Sequence, residues 1–236
     1  MRSSLAAVNF LSIRNRRKIV HPGVEDIGAA ALYFPLVGCV FGLILVFLNR
    51  VLETYLTSEI LSVILVMALV LLTGAIHLEG LEQTFSGFYP DTIFESGGRR
   101  RSSIFGFLAV LLVILLKIRS IEVTGDNRAL GLLLTPIFSR WALVTFLYGS
   151  SSVQEPRRIV TENIKGWHLL VTSALTLGLA AAFMGRLGLW IGLGLSLFAL
   201  FSRSYLHWRF GGLTWNSLGA LVELSEALTF MFFASI

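Results

Sequence analysis

Seven stretches of this 236-residue chain are apolar over a length that suits one membrane crossing. A helix needs about 20 predominantly apolar residues, roughly 17–25, to span the hydrocarbon core. The candidates are residues 27–48, 60–76, 104–118, 130–147, 168–184, 187–201 and 218–233. The third and sixth are short, so flanking polar residues are expected to extend them. Hydrophobic residues make up 55% of the chain and charged residues 14%, against about 25% charged in a soluble domain. The mean hydropathy is +0.78. A soluble fold of this size cannot hide that much apolar surface, and disorder needs the opposite balance of hydrophobicity and charge. Cys39 is the one cysteine and lies in an apolar run, which excludes a disulfide framework and a cysteine-based zinc site. The expected fold is all-α: a polytopic membrane protein of about seven transmembrane helices. Residues 1–236 form a single integral membrane domain, with 1–26 as a cytoplasmic N-terminal segment. Crossing segments must be closed helices, because lipid satisfies no backbone hydrogen bond.

The distribution of Lys and Arg orients this bundle. The N-terminal segment does not read as a signal peptide, because its basic cluster, Arg14, Arg16, Arg17 and Lys18, follows a weakly apolar start. With that segment inside, alternation puts thirteen basic residues on the inner side and five on the outer side, namely Arg50, Lys117, Arg119, Arg128 and Arg186. This is a positive-inside bias. It places segments 77–103, 149–167 and 202–217 in the cytoplasm. Only Gly185 and Arg186 separate the fifth and sixth candidates, so these form either a tight hairpin or one re-entrant pair. Merging them reverses the last loop.

Few polar residues lie in or beside the spans, and they fall into clusters. His77, Glu79, Gln83 and Ser86 are spaced to lie on adjoining helical stripes. Such a group either holds a divalent cation on oxygen ligands or begins a loop amphipathically. Arg99, Arg100 and Arg101 precede a helix start near Ser102, which fits phosphate capture or contact with anionic lipid. Gly211, Gly212, Thr214, Asn216, Ser217 and Gly219 fit close backbone approach to a ligand or a plain loop. Glu223 and Glu226 share a face of the last span, and Arg140 lies within the fourth. A charge in hydrocarbon costs about 2.5–3.5 kcal/mol on insertion scales. These residues are therefore expected to pair, as a structural ion pair between helices or as the lining of a polar chamber that opens to the cytoplasm.

At these clusters the chain resembles the cobalamin synthase family, the adenosylcobinamide-GDP ribazoletransferases. Tyr33-Phe34-Pro35-Leu36-Val37-Gly38 resembles its "FPLVG". Leu72 to Leu81, reading LTGAIHLEGL, resembles the start of "TGALHLDGLADTADG". Arg101 to Ala109 is similar to "DSRIGAFGVLAL", and Gly211 to Leu224 is similar to "GGxTGDTLGAxxEL". Order and spacing hold from Ala31 to the end of the chain. The resemblance implies transfer of the adenosylcobinamide-phosphate moiety from adenosylcobinamide-GDP to α-ribazole or its phosphate, with release of GMP and a requirement for magnesium. It implies His77 and Glu79 as catalytic residues, with Glu79 as metal ligand. It implies Gly80, Arg101, Gly211, Gly212, Thr214, Asn216, Gly219 and Glu223 at the substrate.

The chain departs from the family at its acids. Glu79 stands for the Asp of "HLDG", Gln83 for that of "ADT", Ser86 for that of "ADG", Arg99 for that of "DSR" and Asn216 for that of "TGD". Metal-assisted phosphoryl transfer depends on charge neutralisation by such acids, so activity is expected to be weak or lost. The alternative is a catalytically inactive homologue that serves as a membrane-embedded binding or assembly subunit, and a small-molecule transporter is a third reading. The expected partners are membrane lipid, a corrinoid nucleotide and other membrane subunits, with no nucleic acid. The expected location is a prokaryotic inner membrane.

Overall fold

A computed structural model of the chain describes residue 7 and residues 30–88, 103–151 and 164–236. Arg99, Arg100 and Arg101 fall outside these. The helices are α1 (Phe34–Leu52), α2 (Ser58–Thr73), α3 (Ile76–Ser86), α4 (Ile104–Val123), α5 (Arg128–Leu147), α6 (Gly166–Met184), α7 (Arg186–Phe210) and α8 (Trp215–Ala234). Among the described residues, six helices are long and apolar enough to cross a membrane, and the bent pair α2 and α3 makes a seventh crossing if counted as one. The chain is an all-α polytopic integral membrane protein.

The expected spans differ from the observed helices at their ends, most of all in three places. The 27–48 stretch is interrupted by a turn at Leu32 and Tyr33. Helix α1 starts at Phe34 with Pro35 in its first turn, where the missing N–H costs nothing. The 60–76 stretch does not run through: Gly74 (φ 61°) and Ala75 (φ 58°) adopt left-handed backbone, and the chain turns by 89° into α3. What the sequence placed in a cytoplasmic loop after residue 76 is therefore first a helix. The 187–201 stretch lengthens to Phe210, so Arg203 and Arg209 lie on α7 rather than in a loop.

The fifth and sixth candidates are two separate helices, each long and apolar enough to cross a membrane. Gly185 (φ 58°) makes the turn, and α7 folds back on α6 so closely that a Cβ on Gly188 would collide with the Ala180 carbonyl. Helices α5 and α8 form the centre, with 89% and 72% of their spans buried, against 22–39% for α1, α4, α6 and α7. The outer helices turn large apolar side chains such as Phe47, Leu170 and Phe201 outward, as a lipid-facing surface does. Gly38 and Gly42 let α1 close on the α5 backbone at Pro136 and Leu133, a small-xxx-small contact that needs no side chain at the interface.

The segments that carry the sequence clusters meet at one end of the bundle. Ser103, before α4, donates its backbone N–H to Ser86 Oγ at the end of α3 (3.2 Å). Phe88 stacks on Phe210 at the end of α7, with ring centroids 5.4 Å apart. Leu213, between α7 and α8, donates to the Ser151 carbonyl beyond α5 at 2.8 Å.

Candidate functional site

Helix α3 lies against the first turns of α8 through two glycines. A Cβ on Gly80 would sit 2.6 Å from the Asn216 carbonyl oxygen, and one on Gly219 would sit 2.9 Å from the His77 carbonyl oxygen. Only the absence of side chains allows this approach. It buries His77 at 5% exposure, within electrostatic reach of Arg140, Glu226 and Lys117. His77 Nε2 has no hydrogen-bond partner among the described residues.

Beyond His77 lies a buried ion network. Lys117 Nζ from α4 donates to Glu223 Oε2 and to Glu226 Oε2, both at 2.6 Å. Arg140 Nη1 from α5 donates to Glu226 Oε1 and, at 2.8 Å, to Ser139 Oγ. Two cations face two carboxylates, and all four side chains are at most 4% exposed. A buried ion keeps its charge only when paired and hydrogen-bonded. With a rise of about 1.5 Å per residue, Glu223 and Glu226 lie roughly 12–16 Å along α8 from Trp215, deep in the bundle.

Lys117 is the residue that sequence reasoning misplaced. The sequence places it among the outer basic residues, near the expected end of a span at 118. Helix α4 continues to Val123, so Lys117 is interior. Removing it from the outer set leaves Arg50, Arg119, Arg128 and Arg186 there and widens the charge asymmetry. The available signal was a lysine flanked by Leu116 and Ile118 while two carboxylates in the last span had only Arg140 to face.

The α3 polar residues do not share one surface. Glu79 is exposed and accepts from Gln83 Nε2 at 3.3 Å, while His77 points into the bundle. Ser86 is buried on a third line. Its hydroxyl donates to Glu82 Oε1 at 2.8 Å and pairs with Ser103 Oγ at 2.9 Å. Gly106 fits into this corner, because a Cβ there would strike Ser86 Oγ and Glu82.

The 211–219 segment is largely a helix junction. Gly211 (φ 77°) ends α7 in left-handed backbone, with open space where a Cβ would be. Gly212 is buried beside it. Thr214 caps α8: its Oγ1 accepts from the Ser217 N–H at 3.3 Å, and Ser217 Oγ accepts from the Thr214 N–H at 3.1 Å. This satisfies N-terminal donors that α8 cannot pair internally. Asn216 is half-buried, with its carbonyl against Gly80.

Polar groups thus lie on two sides of α3: Glu79 and Gln83 on its outer side, and His77 on its buried side, toward the Lys117–Glu223–Glu226–Arg140 network. The cobalamin-5-phosphate synthase family model matches residues 3–234. The chain belongs to the cobalamin-5-phosphate synthase family. The chain is 31% identical over 222 residues to adenosylcobinamide-GDP ribazoletransferase of Alkaliphilus metalliredigens, covering 89% of this chain and 86% of that one. It is 32% identical over 223 residues to the protein of that name from Pseudomonas putida, covering 87% of each. To the Geotalea daltonii protein of the same name it is 27% identical over 230 residues, covering 90% of this chain and 88% of the other. No solved structure matches the chain. Family membership places it in cobalamin biosynthesis, among membrane transferases.

The family resemblance implies magnesium, for which several acidic side chains would have to converge. Among the described residues, no group of three or more His, Cys, Asp or Glu side chains is placed to hold a metal ion. Glu79 shares its carboxylate with the Gln83 amide. A hard divalent cation needs several oxygen ligands, usually anionic. Arg101, the basic residue that the resemblance places at substrate, lies outside the described residues.

Proposed function

We propose that the chain binds a nucleotide-activated corrinoid of the adenosylcobinamide-GDP type at the α3 end of the bundle, and that its transfer to α-ribazole or α-ribazole phosphate, with release of GMP, is weak or lost. What carries the reading is the state of the α3 surface. Glu79 is the one family acid kept there, and its partner at the next turn is the uncharged Gln83. The hydroxyl at Ser86, where the family has an acid, is tied to Glu82 and Ser103. Phosphoryl transfer works by positioning and by neutralising charge on the phosphoanhydride. The chain keeps the packing that positions α3 but has lost most of the negative groups that recruit metal.

His77, Glu79, Gly80, Asn216 and Gly219 are the residues we assign to this face, with Gly80 and Gly219 acting by close helix approach. Glu223 belongs to the network that supports it. Gly211, Gly212 and Thr214 act through the α7–α8 junction. The face is cytoplasmic, by the Lys and Arg asymmetry, in a prokaryotic inner membrane. Where turnover is nil, the chain serves as a membrane-embedded binding or assembly subunit.

The test is a titration of the purified chain in lipid nanodiscs with adenosylcobinamide-GDP, with and without magnesium. The expected result is saturable binding that changes little with magnesium. Absence of binding in both conditions contradicts the reading. Binding that appears only with magnesium contradicts the loss of the metal site.

A further inference from the structure

Helix α7 carries two exposed tryptophans, Trp190 at 67% and Trp208 at 80%. They stand eighteen residues apart, which is about five full turns, so they share one face and lie roughly 27 Å apart along the axis. Between them this face is apolar and turned outward, with Leu193, Leu197 and Phe201 exposed. No charged residue occurs between Arg186 and Arg203. The hydrocarbon core of a bilayer is about 30 Å thick, and Trp is enriched where hydrocarbon gives way to headgroups. Arg186 precedes Trp190 by about one turn, and Arg209 directly follows Trp208. Basic side chains at helix ends reach the headgroups while their stems stay on apolar surface.

The other exposed Trp and Tyr side chains keep to the same two levels. Trp167 in the first turn of α6, Tyr148 at the end of α5 and Tyr205 one turn before Trp208 are exposed at the Trp208 end. Tyr55, between α1 and α2, is exposed at the Trp190 end. Among the described residues, no exposed Trp or Tyr lies in the middle of a crossing helix.

Helix α3 belongs to the Trp208 level. Phe88, two residues past its end, meets the Tyr205 ring edge-on with centroids 5.8 Å apart, and Tyr205 meets Trp208 at 6.0 Å. Toward its start, Gly80 rests on the first turns of α8 at Asn216 and Gly219. The 89° bend lays α3 across the direction of α2. His77 on its buried side faces the ion network, and Glu79 is exposed on the other.

We infer that Trp190 and Trp208 stand in the two headgroup layers of the bilayer, and that α3 lies flat in the layer that holds Trp208, with Glu79 turned to water. Lipid is the partner of this surface: acyl chains between the two levels, phosphate-bearing headgroups at Arg186 and Arg209. A ligand then reaches the Glu79 face from the boundary of water and headgroups, without passing through hydrocarbon between the helices. This depth goes beyond the corrinoid reading and does not depend on it.

The experiment is nitroxide scanning of the full chain in phosphatidylcholine nanodiscs, in a Cys39→Ala background. Single labels are placed by Trp190→Cys, Leu197→Cys, Trp208→Cys and Glu79→Cys, and power saturation compares collisions with oxygen, which enters hydrocarbon, and with a water-soluble nickel chelate, which does not. The oxygen-to-nickel ratio should be highest at Leu197, intermediate at Trp190 and Trp208, and lowest at Glu79. Each variant must keep its cooperative thermal transition; where Trp208→Cys does not, Tyr205→Cys takes its place. Nickel collisions at Leu197 as frequent as at Glu79 overturn the inference. So does a Glu79 label as shielded from nickel as Leu197, or a label at Trp190 or the Trp208 end as deep as Leu197. Dipolar broadening at Leu197 shows a second copy on this face in place of lipid and also overturns it. Titration with adenosylcobinamide-GDP is read separately, so the corrinoid reading fails without changing these ratios.

Discussion

Lys117 Nζ and Glu223 Oε2 meet at 2.6 Å in the interior of the bundle, one from α4 and the other from α8. The same ammonium group also holds Glu226, which in turn holds Arg140. Three helices are thus joined by one continuous set of charges, on the stretch of α8 that continues from its contact with α3.

Removing one member of this set strands its partners. Lys117→Met should destabilise the chain by roughly 3–5 kcal/mol, since Glu223 is left as an uncompensated buried charge. The double variant Lys117→Met with Glu223→Gln removes both charges and should recover most of that loss. Thermal or denaturant unfolding in detergent, analysed as a double-mutant cycle, checks this. Equal stability of Lys117→Met and the unaltered chain would show that the network is not buried.

The glycine contacts divide by what surrounds them. Gly80→Ala places a Cβ 2.6 Å from the Asn216 carbonyl and should cost about 1–3 kcal/mol by overpacking, with α3 pushed off α8. Gly178→Ala, in the exposed middle of α6 with nothing within 4 Å, should be neutral or stabilising by about 0.5–1 kcal/mol. Unfolding of the two variants side by side tests the close approach of α3. Similar behaviour of both would contradict it.

Thr214 separates a cap from a ligand. Thr214→Ala loses the α8 capping pair and should cost about 1 kcal/mol. Its affinity for adenosylcobinamide-GDP should stay within about twofold of the unaltered chain, because the hydroxyl is directed to Ser217. A large loss of affinity with unchanged stability would make Thr214 a ligand residue instead.

The bundle was legible in the sequence because a membrane crossing is a local property: length and hydropathy of a window decide it. The kink at Gly74 and Ala75 was not, because the apolar run continues through Ile76 and hides the break. The pairing of Arg140 with a carboxylate of the last span follows from the cost of a buried charge. The partner of Glu223 did not follow, because Lys117 near an underestimated helix end looks like an interfacial anchor. His77 and Glu79 stand two residues apart in one sequence cluster, yet two residues on a helix turn a side chain by about 200°. One faces the network and the other the exterior. Thr214 and Gly211 carry ligand-like chemistry in the sequence, and the capping and turn roles they take at the α7–α8 junction are visible only in the backbone.

The replaced family acids decide the chemistry, and one assay addresses their loss: turnover of adenosylcobinamide-GDP and α-ribazole phosphate by the purified chain in nanodiscs with magnesium, followed by release of GMP. Trace turnover or none is expected, with activity gained when Gln83, Ser86, Arg99 and Asn216 are all replaced by Asp. Robust turnover by the unaltered chain that disappears on Glu79→Ala would contradict it and make Glu79 sufficient for the chemistry.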